Sequence, residues 1–135
     1  MKIGELARLV GSNTETIRYY ESIDLLPKPP RTSGNYRDYG PAHVQRFAFI
    51  RHARGLGFDV EAVRALLRLA DEPSRDCSEA DRIASGHLAA VRIKILQLQS
   101  LRAELHRMIE QCRGGQVAEC KIIEALSNHR ARGQR

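Results

Sequence analysis

The sequence predicts a mainly α-helical protein, in which a head of four short helices leads into one long helix and a short C-terminal segment. Three observations predict it. Aromatic residues make up only 5% of the 135 residues, with no Trp, against 42% hydrophobic, a balance that favours helix over a strand-rich sandwich. Apolar residues recur at helical spacing in segment after segment. From about Ser78 to Cys112 there is no proline, and Leu88, Val91, Ile95, Leu98, Leu101, Leu105 and Met108 form one stripe.

Taken in order, IGELARLV at 3–10 places Ile3, Leu6, Ala7 and Val10 on one face and stops at Gly11, a natural C-terminal breaker. Ser12 followed three residues later by Glu15 makes a capping-box signature for a second helix, TETIRYYESI, with Ile17, Tyr20 and Ile23 inward. Two short helices joined by a glycine-containing turn form the helix-turn-helix pattern, whose second helix enters the major groove of DNA. LLPKPPRTSGNYRDYG holds three of the five prolines and reads as a small hairpin or wing. Arg31, Tyr36 and Arg37 flank its turn, where they suit phosphates or form an ordinary solvated loop. Pro41 suits the first position of a third helix ending at Gly55 and Gly57, with Val44, Phe47, Ala48, Ile50 and Arg51 supplying its periodicity. Asp59 caps a fourth, VEAVRALLRLA, with Val60, Val63, Leu66 and Leu67 on its apolar side.

The long helix of about 35 residues spans roughly 50 Å at about 1.5 Å per residue. A head this small cannot cover its stripe, so a second copy is expected, giving a homodimer through a coiled coil. KIIEALS permits one more short helix, and NHRARGQR reads as a basic tail.

The formal charge of +6 and pI near 9.7 make a polyanion the expected class of partner. The N-terminal segment, with Glu5 and Arg8 inside it, does not read as a signal peptide. No stretch is long enough to span a bilayer, so no membrane partner is expected. The expected compartment is a reducing cytoplasm, where an odd number of cysteines reads as thiols or ligands. There is no glycine-rich phosphate loop, nucleophile elbow or paired-cysteine redox motif, so no enzymatic activity is expected. The three cysteines, Cys77, Cys112 and Cys120, bracket the long helix and a loop containing two glycines. Thiols so placed suit a soft metal ion; the same residues also read as buried small hydrophobes, or with one pair joined as a disulfide. His87, His106 and His129 are candidates for a fourth ligand.

MKIGELARLVGSNTETIRYYESIDLLPKPPRTSGNYRDYG, with IRYYE in the second helix and GNYRDY in the wing, closely resembles the DNA-binding head of the MerR family of bacterial transcription regulators. The similarity continues through FIRHARGLGF and the long helix, over nearly the whole chain. The resemblance implies a winged helix-turn-helix head, a long antiparallel coiled-coil dimerisation helix and a C-terminal metal-binding loop. It divides the chain into a head at 1–70, a connecting loop at 71–77, a dimerisation helix at 78–112, and loop, short helix and tail at 113–135. It implies a homodimer on a palindromic double-stranded promoter, activating by distorting the DNA between promoter elements so that RNA polymerase engages. Thr14, Thr16, Arg18, Tyr19, Arg31, Tyr36 and Arg37 are the expected DNA contacts, with Arg18 on a base edge or a phosphate. Arg46 and Arg54 read as phosphate clamps or surface charge.

Metal-sensing members resemble this chain in having a cysteine-bounded loop after the dimerisation helix. Copper(I) sensors carry serine at the start of that helix, whereas sensors of divalent zinc, cadmium, lead or mercury carry cysteine, as Cys77 does here. The seven residues between Cys112 and Cys120 resemble the copper-sensor loop, and Cys77 decides for a divalent soft metal ion. The loop contains no His, which ranks mercury, lead and cadmium ahead of zinc. The implied site joins Cys77 of one subunit to Cys112 and Cys120 of the partner subunit. The alternatives are a copper(I) or silver(I) sensor, a cysteine-based redox or aldehyde sensor, and an architectural DNA-binding dimer without a ligand.

Overall fold

The computed structural model describes residues 1–112, 114–117 and 120–127. Among them are six helices: α1 (Ile3–Val10), α2 (Thr14–Ser22), α3 (Pro41–Gly55), α4 (Val60–Ala70), α5 (Ser78–Gln111) and α6 (Lys121–Ser127). They form two compact units, Met1–Ala84 and the residues from Ser85 onward. No helix is long and apolar enough to cross a membrane.

In the first unit, α1 ends as its sequence dictates. Gly11 takes the left-handed conformation, φ 68°, that glycine adopts without steric cost, and the amide of Ser12 returns to the Ala7 carbonyl at 2.9 Å. That bond is why the expected capping box on Ser12 does not form. Ser12 closes α1, and Asn13, in extended conformation, caps α2 by accepting from the Thr16 amide at 2.8 Å. The far end of α2 closes through Asp24, a non-glycine residue at φ 61°, so that the amides of Leu25 and Leu26 both return to the Tyr20 carbonyl. Pro41 starts α3 and Asp59 caps α4 by accepting from the Ala62 amide at 2.8 Å, both as their sequence positions predict.

The core gathers Leu6 and Ala7 of α1, Ile17 of α2, Phe47, Ile50 and Ala53 of α3, and Val63 and Leu67 of α4. Leu25, Leu26 and Tyr39 complete it from the connection between α2 and α3. Two residues expected in the apolar periodicity of α3, Ala48 and Arg51, are exposed instead. Arg51 instead reaches across to α1, donating to the carbonyls of Val10 and Gly11, the latter at 3.0 Å. A guanidinium is better matched to the unsatisfied carbonyls of a helix end than to an apolar interior.

The wing is a tight turn closed by a single antiparallel bridge, Arg31 to Arg37, rather than by two strands. The Thr32 amide bonds the Tyr36 carbonyl at 2.8 Å, and the Asn35 amide, with Asn35 at φ 63°, bonds the Thr32 carbonyl at 2.9 Å. Two prolines immediately before Arg31 lack the amides that a longer ladder would need.

In the second unit, α5 carries its apolar stripe outward. Leu98 is 64% and Leu101 55% exposed, and Leu98, Leu101, Leu105 and Ile109 line an apolar groove of about 420 Å³ with Arg102 and His106. His106 therefore sits on the apolar face of the helix. His87 is half-buried within α5, and His129 and the basic tail lie outside the described residues.

Candidate nucleic-acid interface and cysteine sites

α2 lies between two constraints that its own sequence supplies. Ile17 faces the core with no exposure, while Arg18 and Tyr19 on the adjacent face are open, Tyr19 at 53%. Thr14 and Thr16 are half-exposed at the start of the helix. Arg18 lines an open cleft of about 370 Å³ together with Lys2, Ile3, Glu21, Tyr36, Arg37 and Tyr39. The structure thus brings together the expected contacts Arg18, Tyr36 and Arg37 from helix and wing. Arg31 lies outside that cleft, donating to the Asn35 carbonyl at 3.3 Å and bracing the wing turn.

Lys2 belongs to this surface and was not among the residues expected from the sequence. Its ammonium lies 4.8 Å from the centre of the Tyr36 ring, a cation–π contact that steadies the wing aromatic against α1. Beneath the cleft, the Tyr39 hydroxyl donates to Glu21 Oε2 at 2.6 Å, with Glu21 only 5% and Tyr39 1% exposed. Burial first, then the hydrogen bond and charge of Glu21, hold the Tyr39 phenol well above its ordinary pKa, so it stays a donor. This buried pair joins α2 to the end of the wing and leaves Lys2, Arg18 and Arg37 as the charged groups presented outward. An arrangement of three cations and an exposed tyrosine beside an exposed helix face suits a phosphate-bearing backbone.

Arg46 and Arg54, expected as phosphate clamps or surface charge, have partners within the fold. Arg54 donates to the Phe58 carbonyl at 2.9 Å, and Arg46 to the Leu25 carbonyl at 3.2 Å and the Asp71 carboxylate at 3.2 and 3.3 Å.

The cysteines stand at helix boundaries. Cys77 is exposed in the first unit and directly precedes α5, its carbonyl accepting from the Asp81 amide at 2.9 Å. Beside it, the hydroxyl and then the amide of Ser78 hold the Asp76 carboxyl below its ordinary pKa. In the second unit, Cys112 follows the last turn of α5 and Cys120 directly precedes α6. Gly114, at φ 74°, lies in the loop that turns between them. The two sulfurs are joined and the Cα atoms are 5.2 Å apart, so the loop returns Cys120 to the side of Cys112. Among the described residues, no three His, Cys, Asp or Glu side chains of one chain converge. Reduced, Cys112 and Cys120 present two neighbouring thiols, and sulfur donors of this kind fit a soft metal ion.

The chain matches the MerR HTH family regulatory protein model over residues 1–70 and the MerR DNA-binding model over residues 44–108. It is 38% identical to heavy metal-dependent transcription regulator 2 of Rhizobium meliloti, covering 95% of this chain and 87% of that one. It is 39% identical to the HTH-type transcriptional regulator ZntR of Escherichia coli, covering 93% and 91%. Among solved structures, the transcription regulator PbrR691 from Ralstonia metallidurans in complex with lead(II) superposes with a TM-score of 0.82 at 38% identity, covering 93% and 98%. These relatives are regulators and not enzymes, and the chain belongs to the MerR family of DNA-binding helix-turn-helix transcriptional regulators.

Proposed function

We propose that this protein is a metal-responsive regulator that binds a palindromic promoter as a homodimer and activates metal-resistance or efflux genes when a divalent soft ion binds. The observation that carries the reading is the placement of three cysteines: Cys112 and Cys120 side by side after the last turn of α5, and Cys77 exposed at its start. The names of the relatives, heavy metal-dependent regulator and ZntR, and the lead(II) complex of PbrR691 support it. Cys77 of one subunit, with Cys112 and Cys120 of the partner subunit, would hold mercury, lead, cadmium or zinc. A bound ion supplies a cross-link between thiolates of the two chains. Cys112 and Cys120 ligate only as thiolates, so the response belongs to the reduced protein. The DNA is met by Thr14, Thr16, Arg18, Tyr19, Arg31, Tyr36 and Arg37, and activation follows from distortion of the promoter that lets RNA polymerase engage.

The test is a titration of the reduced protein with a panel of metal salts, read by thiolate-to-metal absorption. One ion per three thiolates is expected, with protons released on uptake and affinity falling as pH falls, because each ligand must be deprotonated. Absence of stoichiometric uptake of any divalent soft ion removes the reading. On the DNA side, Arg18→Ala should weaken operator binding while leaving helicity and metal uptake intact. Operator affinity of the unaltered protein should fall steeply with salt, as counterions are released from the phosphates. Unchanged operator affinity in Arg18→Ala would show that α2 presents another face.

A further inference from the structure

Arg46 projects from α3 and is bonded at both ends of its guanidinium. Its Nε donates to the Leu25 carbonyl at 3.2 Å, and its Nη1 lies 3.2 and 3.3 Å from the two oxygens of Asp71, the residue that follows α4. Leu25 is itself fixed to the recognition helix: it is 1% exposed, and its amide returns to the Tyr20 carbonyl at 3.0 Å across the left-handed Asp24. One planar side chain therefore bridges the closure of α2 and the end of α4. Side-chain exposure of 28% for Arg46 and 60% for Asp71 means that the ion pair adds little to global stability. Its content is geometric, because a planar fork fixes two acceptors relative to one another, which a single ammonium does not.

We propose that Arg46 is a positioning residue for DNA reading, tying the end of α2 to Asp71 and so setting the tilt at which the recognition helix meets base edges. Hydrogen bonds to bases are short and directional and carry sequence information, which phosphate contacts do not carry directly. Phosphate contacts by long basic side chains tolerate a small tilt. Loosening the tie thus costs specific binding and spares non-specific binding.

The experiment measures affinity of the full-length protein for its operator and for an unrelated duplex over a range of salt. Arg46→Lys, Arg46→Met and Asp71→Ala are compared at a temperature where circular dichroism shows each fully helical. All three should lose about tenfold in operator affinity. Arg46→Lys and Asp71→Ala should keep wild-type affinity for the unrelated duplex within about twofold and an unchanged salt slope. Asp71→Ala is informative because it removes no positive charge and lies on the surface, so it decides the matter even where Arg46→Met fails to fold. A phosphate clamp gives a different result and overturns the proposal: Arg46→Lys and Asp71→Ala bind the operator normally, while Arg46→Met weakens on both DNAs with a shallower salt slope. Wild-type affinity on both DNAs in all three variants, with only a lower melting temperature, overturns it equally, since that is the behaviour of packing alone.

Discussion

Leu98→Asp together with Leu101→Asp should convert a stable dimer into a folded-headed monomer that no longer holds its palindrome. The two leucines lie mid-stripe on α5, 64% and 55% exposed on one chain and lining an apolar groove. An exposed apolar face of this length marks an interaction surface, and in the proposed homodimer a second copy covers it. Burying each leucine against that copy contributes about 2 kcal/mol, and an unpaired carboxylate there costs more. Four such sites per dimer make the loss on the order of 10 kcal/mol, enough to move a nanomolar dissociation constant beyond millimolar. Light scattering with and without metal checks it. A folded monomer of the unaltered protein at micromolar concentration would falsify the dimer. The head should keep its helicity, because its core is built from residues of α1 to α4 and their connections.

Cys77→Ser should abolish activation by mercury, lead, cadmium and zinc while leaving operator binding and basal repression in place. The exposed thiol packs into no core, so its replacement by a hydroxyl leaves the head folded, while a hydroxyl is a poor ligand for a soft divalent ion. Cys112→Ser and Cys120→Ser should abolish the response equally. Reporter induction by each metal, beside operator affinity in the absence of metal, separates sensing from DNA binding. A Cys77→Ser protein with its full response to all four ions defeats the divalent assignment. Strong induction of that same variant by copper(I) or silver(I) would show that Cys112 and Cys120 form a two-thiolate site by themselves, as the seven-residue loop between them suits.

The elements that were legible in the sequence are those whose causes are local. Apolar spacing over 3–10, a glycine at 11, a proline at 41 and an aspartate at 59 each act within a turn or two of chain, and α1, α3 and α4 begin or end at them. The proline-free stripe gave α5 for the same reason. Where two neighbouring residues competed for one role, sequence order alone could not choose: Ser12 and Asn13 are both good caps, and the closing turn of α1 took Ser12.

The functional surface divides along the same line. Cysteine positions and the IRYYE and GNYRDY segments are visible in the chain, and with them the proposed thiol donors and the helix proposed to face DNA. The recruitment of Lys2 to Tyr36, the buried bond between Tyr39 and Glu21, and the ties of Arg46 and Arg51 to carbonyls 21 and 41 positions away are not. In sequence Glu21, Arg46 and Arg51 are ordinary charged residues on helices, and Lys2, Tyr36 and Tyr39 ordinary residues beside them, indistinguishable from a solvated surface. Composition and periodicity determined which segments are helical and which faces are apolar, because those follow from local backbone preference and transfer from water. Only the tertiary structure decided which arginines face solvent and which are braces. A guanidinium or carboxylate takes its role from the carbonyl or hydroxyl that folding brings within about 3 Å, and that partner is remote in sequence.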